Sequence, residues 1–341
     1  MKKIILGILI GALLFAFQGV PAQAAEESSI YIMGRVERLL YGEERTGGLI
    51  ERLNNIERDM FGRELPGSIA ERQNALLNFI EKGTPEQPSV LFKLAIAEWA
   101  VGQRTDTLTP AVKRVESLEV QLEGTPQVDR PVAMRLERVL NLLLSDTVTM
   151  QDVEVPAGTV IKGTLSRTLS PKTAKVGDPV DIVLGSDLVI DTNLVAPKGS
   201  RILASVTEVT KPRSFGRPAE VKIAVEKLFP LGPEEIPLTV GEKAKEASKA
   251  ESAQMAAAGT SFIGAILLGP VGLAGGFLVR GDLKELPEGT VVFSETAEMT
   301  RVSAYPVPAG LQGMLKQETP PAGPPVEEPA PPAREEERNI K

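Results

Sequence analysis

Val155-Pro156-Ala157-Gly158-Thr159-Val160-Ile161-Lys162-Gly163-Thr164-Leu165 joins a proline–glycine turn to an alternating strand. The device occurs twice more, with Pro197-Lys198-Gly199-Ser200 before Arg201-Ile202-Leu203 and Pro287-Glu288-Gly289-Thr290 before Val291-Val292-Phe293. Proline fixes its own φ and glycine admits positive φ, so Pro156 with Gly158, Pro197 with Gly199, and Pro287 with Gly289 read as strand-entry turns. Around them apolar residues alternate: Val180, Ile182, Leu184; Ile202, Ala204, Val206; Val221, Ile223, Val225. Alternation is the period of a half-buried strand. The first two turns are 41 residues apart and the last two 90; setting aside residues 241–285 as a 45-residue insertion brings the second spacing down to 45. Residues 148–304 are therefore expected to form a small antiparallel barrel or sandwich, interrupted once.

Val155 to Leu165 resembles the opening strand of the TrbI-like barrel of conjugation and type IV secretion core complexes. Ala196-Pro197-Lys198-Gly199-Ser200-Arg201-Ile202-Leu203 resembles a later strand of that family. Gly216-Arg217 with Val221-Lys222-Ile223-Ala224-Val225, Leu228-Phe229-Pro230 and Ile236-Pro237-Leu238 is similar to its next hairpin. These motifs are structural rather than catalytic. The resemblance implies a periplasmic barrel, often oligomeric, with an inserted helical hairpin that reaches the outer membrane. This chain differs from the family pattern in placing helices before the barrel and its proline-rich stretch last.

Upstream, over 29–145, the period changes. Ile30, Met33, Val36, Leu40 are spaced 3, 3, 4, as are Ile50, Leu53, Ile56, Met60 and Val112, Val115, Leu118, Leu122. Each series makes one stripe along a helix. Gly42, Gly62 and Gly124 follow, able to close a helix in the left-handed conformation; Leu136, Val139, Leu140 and Leu143 give a last stripe. At an offset of 20, Glu37-Arg38 matches Glu57-Arg58, Tyr41-Gly42 matches Phe61-Gly62, and Glu51-Arg52 matches Glu71-Arg72. The region reads as a helical repeat or coiled-coil module, similar to short Phe-Gly-containing repeats in envelope proteins of two-membrane bacteria. Short one-striped helices must pack on something, either one another or a partner. The Glu-Arg pairs read as a solvated face of weak ion pairs.

Within the insertion, Glu242 to Gln254 reads as an exposed helix. Met255 to Val279 is then 25 residues without a charge. Gly269-Pro270 divides it, and proline breaks an interior helical turn, so a hairpin of two short helices is expected. Gly259, Gly264 and Gly269 recur every five residues, and Gly272 and Gly276 form G-x-x-x-G. Such small-residue faces suit helix association in lipid. Membrane contact through 255–279 and burial against the β domain are the two alternatives. A phosphate loop is discounted, because no Gly-Lys-Ser/Thr is present.

Lys2-Lys3, the apolar run Ile4–Val20 and Ala22-x-Ala24 read as a secretory signal over 1–24. The alternative is an uncleaved anchor, since 17 residues is the short edge of a span. From Gln317 to Lys341 prolines alternate with six Glu against Arg334, Arg338 and Lys341, a composition expected to stay disordered. The chain of 341 residues has neither Cys nor His and a net charge of −7, which becomes −9 without Lys2 and Lys3. That argues against nucleic acid as a partner. The zeros exclude disulfides, thiolate metal sites, lipidated cysteine and the commonest general base. Asp178, Asp181, Asp187 and Asp191 do not meet the EF-hand template and read as exposed strand and turn positions. Ser166 and Ser170 near Lys172 are not fixed in a Ser-x-x-Lys helix. The expectation is an α+β, non-enzymatic protein of the bacterial envelope without cofactor or metal. It would be exported to the periplasm, associated with the outer membrane, and scaffold or tether envelope proteins or copies of itself. A subunit of an export or conjugation channel is the alternative, and a hydrolase of envelope polymers the third reading.

Overall fold

The computed structural model describes residues 28–210, 220–257, 276–278 and 285–315. The expected signal segment, most of the apolar hairpin and the proline-rich tail lie outside the described residues. The architecture is α+β. Among the described residues, six short helices come first: α1 (Ser29–Tyr41), α2 (Leu49–Phe61), α3 (Ile69–Leu77), α4 (Val90–Gly102), α5 (Ala111–Glu123) and α6 (Val132–Leu143). Their starts are 20 or 21 residues apart, so the 20-residue repeat runs through the whole array with a one-residue drift. Ser28, Ser68 and Ser89 cap the N-termini of α1, α3 and α4 by accepting a backbone N–H. The chain leaves α1, α2 and α5 through Gly42, Gly62 and Gly124, all left-handed, each N–H returning to the carbonyl four residues back. α3 instead runs into a π turn over Asn78–Lys82.

The buried stripes are Met33, Val36, Leu40; Leu53, Ile56, Met60; Val115, Leu118; and Leu136, Val139, Leu140. Ile30, Ile50 and Leu122, expected in the same stripes, are exposed. α4 shows no single stripe because Phe92, Leu94, Ile96, Ala97 and Trp99 are all buried. A helix apolar all round belongs inside, and α4 packs against α5, α6 and the π turn.

Eleven strands follow among the described residues. β2 (Val160–Leu165), β3 (Pro179–Leu184), β6 (Arg201–Thr210), β7 (Glu220–Leu228), β8 (Ile236–Thr239) and β10 (Val291–Thr296) close into a six-stranded antiparallel barrel, in the order β6-β3-β2-β10-β8-β7 and back to β6. Ile161, Ile182, Ile202, Ile223, Ile236 and Val292 fill it. β1 (Gln151–Val155), β11 (Thr300–Pro306), β5 (Asn193–Ala196) and β4 (Leu188–Ile190) form a second antiparallel sheet in that order. This smaller sheet serves both cores. Val302 and Ala304 face the barrel core, while Tyr305, Val307 and Leu194 join the helical core. Period-2 alternation thus puts one strand's two faces into two different cores.

The insertion begins as a helix, α7 (Glu242–Ala257), which packs on β10 and β2. It is not simply an exposed helix, since Ala244 and Ser248 are buried against the barrel. The Glu295 carboxylate accepts the Ala244 N–H at 2.9 Å, placing an acid at the positive end of α7. Gly276, expected in a helical hairpin, instead begins β9 (Gly276–Leu278) and pairs with Ala224 of β7. Main-chain pairing along β7 gives the segment strand partners, so the G-x-x-x-G spacing with Gly272 is not helical at its second glycine. Gly259, Gly264, Gly269, Pro270 and Gly272 lie outside the described residues.

Candidate functional site

The helices are linked by a repeated polar clasp. Glu37 of α1 receives the Arg52 guanidinium of α2, and Glu57 of α2 receives Arg72 of α3. Glu98 of α4 receives Arg114 of α5, and Glu119 of α5 receives Arg135 of α6. Each pair includes an Arg Nε–H donating to a Glu oxygen at 2.9 Å. Each of these carboxylates also accepts a backbone N–H eight residues on, from Arg45, Leu65, Asp106 and Gln127, at 2.9–3.2 Å. One carboxylate therefore fixes its own helix, the following loop and the next helix. Glu37, Glu57 and Glu119 are buried, and so are Arg52, Arg114 and Arg135. This corrects the reading of the Glu-Arg dipeptides as a solvated face. One member of each dipeptide turns inward and the other remains outside. Arg38 and Arg58 pair with Glu44 and Glu64 on the surface. The hydrogen bonds they donate to Glu37 and Glu57 hold the Arg52 and Arg72 guanidinium groups more basic than usual, against the opposing effect of burial. Burial pushes the Glu119 carboxyl upward, but Arg135 and the Gln127 N–H outweigh it and leave it below its ordinary value.

The clasp is interrupted between α3 and α4. The positions in register with the Glu and Arg are Leu77 and Lys93, and Lys93 pairs with Glu137 of α6 instead.

A second set of contacts docks the helices on the barrel. Trp99, fully buried on α4, donates its indole N–H to Asp187 at 2.9 Å. The other Asp187 oxygen accepts the Lys198 N–H at 2.7 Å. The Thr105 N–H donates to the Lys198 carbonyl at 2.7 Å, and the Thr107 hydroxyl to the Gly199 carbonyl at 2.9 Å. The Thr105 hydroxyl donates to Glu98, so the third clasp and this junction share a residue. Gly199 has φ +91°, and a Cβ there would stand 2.0 Å from the Thr105 carbonyl oxygen.

The three strand-entry turns share a left-handed glycine, and the last two also share a return hydrogen bond; in the first, the Thr159 N–H donates to the Thr296 hydroxyl. Gly158, Gly199 and Gly289 sit third in their turns with φ of +73°, +91° and +81°. Ser200 N–H and Thr290 N–H return to the carbonyls of Pro197 and Pro287. In these two, proline occupies the first position and glycine supplies the positive φ that a type II turn requires at its third. Pro197 and Gly199 lie at the junction with the helices. Pro156 with Gly158 and Pro287 with Gly289 lie where the chain enters β2 and β10.

The surface of the array carries an open groove between α2, the π turn after α3 and α6, about 840 Å³ in volume. Its floor and walls include Phe61, Phe79, Met134 and Leu142, the last three 37%, 59% and 58% exposed. The Phe61 and Phe79 rings meet at 4.8 Å between centroids, tilted by 56°. Arg63, Arg130 and Arg138 stand along the same groove. Arg138 pairs with Glu123 and Glu137 with Lys93, whereas Arg63 and Arg130 make no ion pair among the described residues.

The sequence candidates for chemistry are placed elsewhere. Ser166 donates to the Asp181 carbonyl and Ser170 to the Glu285 carboxylate, so neither is directed at Lys172. Asp181 pairs with Arg167 and Arg201, and Asp178 accepts the Lys175 N–H. Asp187, expected on an exposed face or turn, is the acceptor of the helix–barrel junction. Among the described residues, no group of three or more acidic side chains could hold a metal ion, and no helix is long and apolar enough to cross a membrane. Sequence reasoning missed the clasp and the junction. The signal for the clasp was present as a Glu followed 15 or 16 residues later by an Arg. No family model and no curated protein matches the chain.

Proposed function

We propose that this chain is a non-enzymatic scaffold of the bacterial envelope, holding a helical array at a fixed position relative to a barrel whose apolar insert touches the membrane. The observation that carries this reading is the junction. Trp99–Asp187, Thr105–Lys198 and a sheet common to both cores join helices and barrel through direct hydrogen bonds and shared packing. Interiors packed this way transmit position with little give. The uncharged run Met255–Val279 supplies the membrane-contacting chemistry. Its middle, residues 258–275, is inserted between α7 and β9, both of which pack on barrel strands. The leader-like 1–24 supports export to the periplasm, with the outer membrane as the membrane contacted. Partners are other envelope proteins or further copies of the chain. Replacing residues 258–275 by a short Gly-Ser linker keeps α7 and β9. The variant is expected in the soluble fraction, with the parent chain in the membrane fraction; equal membrane retention of both overturns the reading.

A second reading, a subunit of an export or conjugation channel, is favoured by the closed six-stranded barrel with its insert. It requires a large discrete ring in detergent, whereas a scaffold sediments as a monomer or small oligomer.

A further inference from the structure

We infer that the groove between α2, the π turn and α6 is the seat of this chain's own C-terminal segment, residues 317–341, folding back in cis. This goes beyond the scaffold reading and does not rest on it.

The groove offers two chemistries together. Phe61 and Phe79 form a tilted aromatic pair, extended by exposed Met134 and Leu142. Surfaces of this kind receive proline-rich chains, whose extended left-handed helix is preformed and loses little entropy on docking. Around the apolar surface, Arg63 and Arg130 have no acidic partner among the described residues, while the neighbouring Arg138, Glu137 and Lys93 are neutralised. The groove therefore asks for a segment that is both proline-rich and acidic.

The chain carries such a segment. Pro320-Pro321-Ala322-Gly323-Pro324-Pro325 and Pro329-Ala330-Pro331-Pro332 supply prolines at P-x-x-P spacing. Glu327-Glu328 separate the two runs, and Glu335-Glu336-Glu337 follow. Acid next to proline matches arginine next to aromatic ring.

Reach is sufficient. The last described residue, Leu315, packs with Leu311 and Met314 on the helical core, so the tail departs from the module that bears the groove. The 26 residues beyond it span about 80 Å at ~3.1 Å per residue. α2, with 13 residues, is only about 20 Å long.

The absence of cysteine makes the test clean. A nitroxide is attached at Ala330→Cys in the full chain, and the methionine methyl groups are isotope-labelled. Met134 lies in the groove, and Met299 is an exposed methionine on the barrel side. The proposal expects loss of the Met134 signal, with that of Met60 in the same groove, while Met299 stays sharp; the lost signals return when the nitroxide is reduced and in the Arg63→Glu/Arg130→Glu variant. Both arginines are exposed, and the buried Met33 and Met60 signals report that the variant remains folded. A sharp Met134 signal in the labelled chain overturns the proposal, as does equal broadening of Met299. Broadening found only when spin-labelled chains are mixed with separate isotope-labelled chains assigns the groove to a second copy and also overturns it.

Discussion

Glu119 and Arg135 show what the clasp does. Both side chains are buried, and the carboxylate is shared between a guanidinium and a loop N–H. Breaking one partner of such a pair leaves a buried charge uncompensated, at a cost of about 3–5 kcal/mol. Arg135→Met is therefore expected to lower the urea unfolding free energy by about that amount. Glu119→Gln/Arg135→Met should recover much of it, because Gln still accepts the Gln127 N–H. Equal losses in the single and double variants would refute the coupling. The pH dependence has a definite sign. The folded Glu119 carboxyl lies below its ordinary value, since Arg135 and Gln127 outweigh burial. Its contribution is therefore present above the unfolded pKa of about 4.3 and is lost as pH falls through the lower folded value. Removing Arg135 should move acid unfolding to higher pH. The Glu-Arg dipeptides were visible in the sequence, but their orientation was not. Neighbouring residues on a helix point about 100° apart, so a dipeptide always sends one member elsewhere, and a separation of 15 or 16 residues, rather than adjacency, carried the contact. In the β region, Asp187 was read as one of four loosely spaced acids, because its partner Trp99 is 88 residues away.

Among the elements, those with one stripe were legible and those with none or two were not. α1, α2, α5 and α6 announce themselves by spacing and, for three of them, by a closing glycine. α4 does not, because a helix buried on every side has no period to read. The barrel strands alternate and follow their turns, whereas β5 is buried along its whole length and β11 serves two cores. Strand β9 was hidden by glycine spacing that fits a helix equally well. The Pro197–Ser200 turn does more than start β6, since its tip is the barrel's docking point for the loop after α4. Gly199→Val should fail there twice, through the positive φ and through collision with the Thr105 carbonyl. Trp99 is the only tryptophan, so its emission reports on the junction alone. A red shift and loss of stability are expected for Gly199→Val, and a smaller effect for Gly289→Val, where no neighbour lies within 4 Å of the added Cβ. Equal effects at the two turns would show that strain, not docking, is what Gly199 relieves.

For the molecule as a whole, the small sheet β1-β11-β5-β4 is decisive. Its strands give side chains to the helical core and to the barrel core, so neither core is complete without it. That arrangement was not legible in the sequence, where helices and strands divide at about Ser145 as though into independent modules. A scaffold needs this continuity, because position is transmitted only through parts that do not pivot. Two exposed sites, Gln121 on α5 and Glu226 on β7, lie one on the helical array and one on the barrel. With both changed to cysteine and spin-labelled, the distance between them can be measured by pulsed electron resonance, free and on vesicles of bacterial outer-membrane lipid recovered by flotation. A single narrow distance, identical in the two states, is predicted, with flotation abolished when residues 258–275 are replaced. A broad or vesicle-dependent distance, or flotation that survives the replacement, would contradict a rigid membrane-touching scaffold.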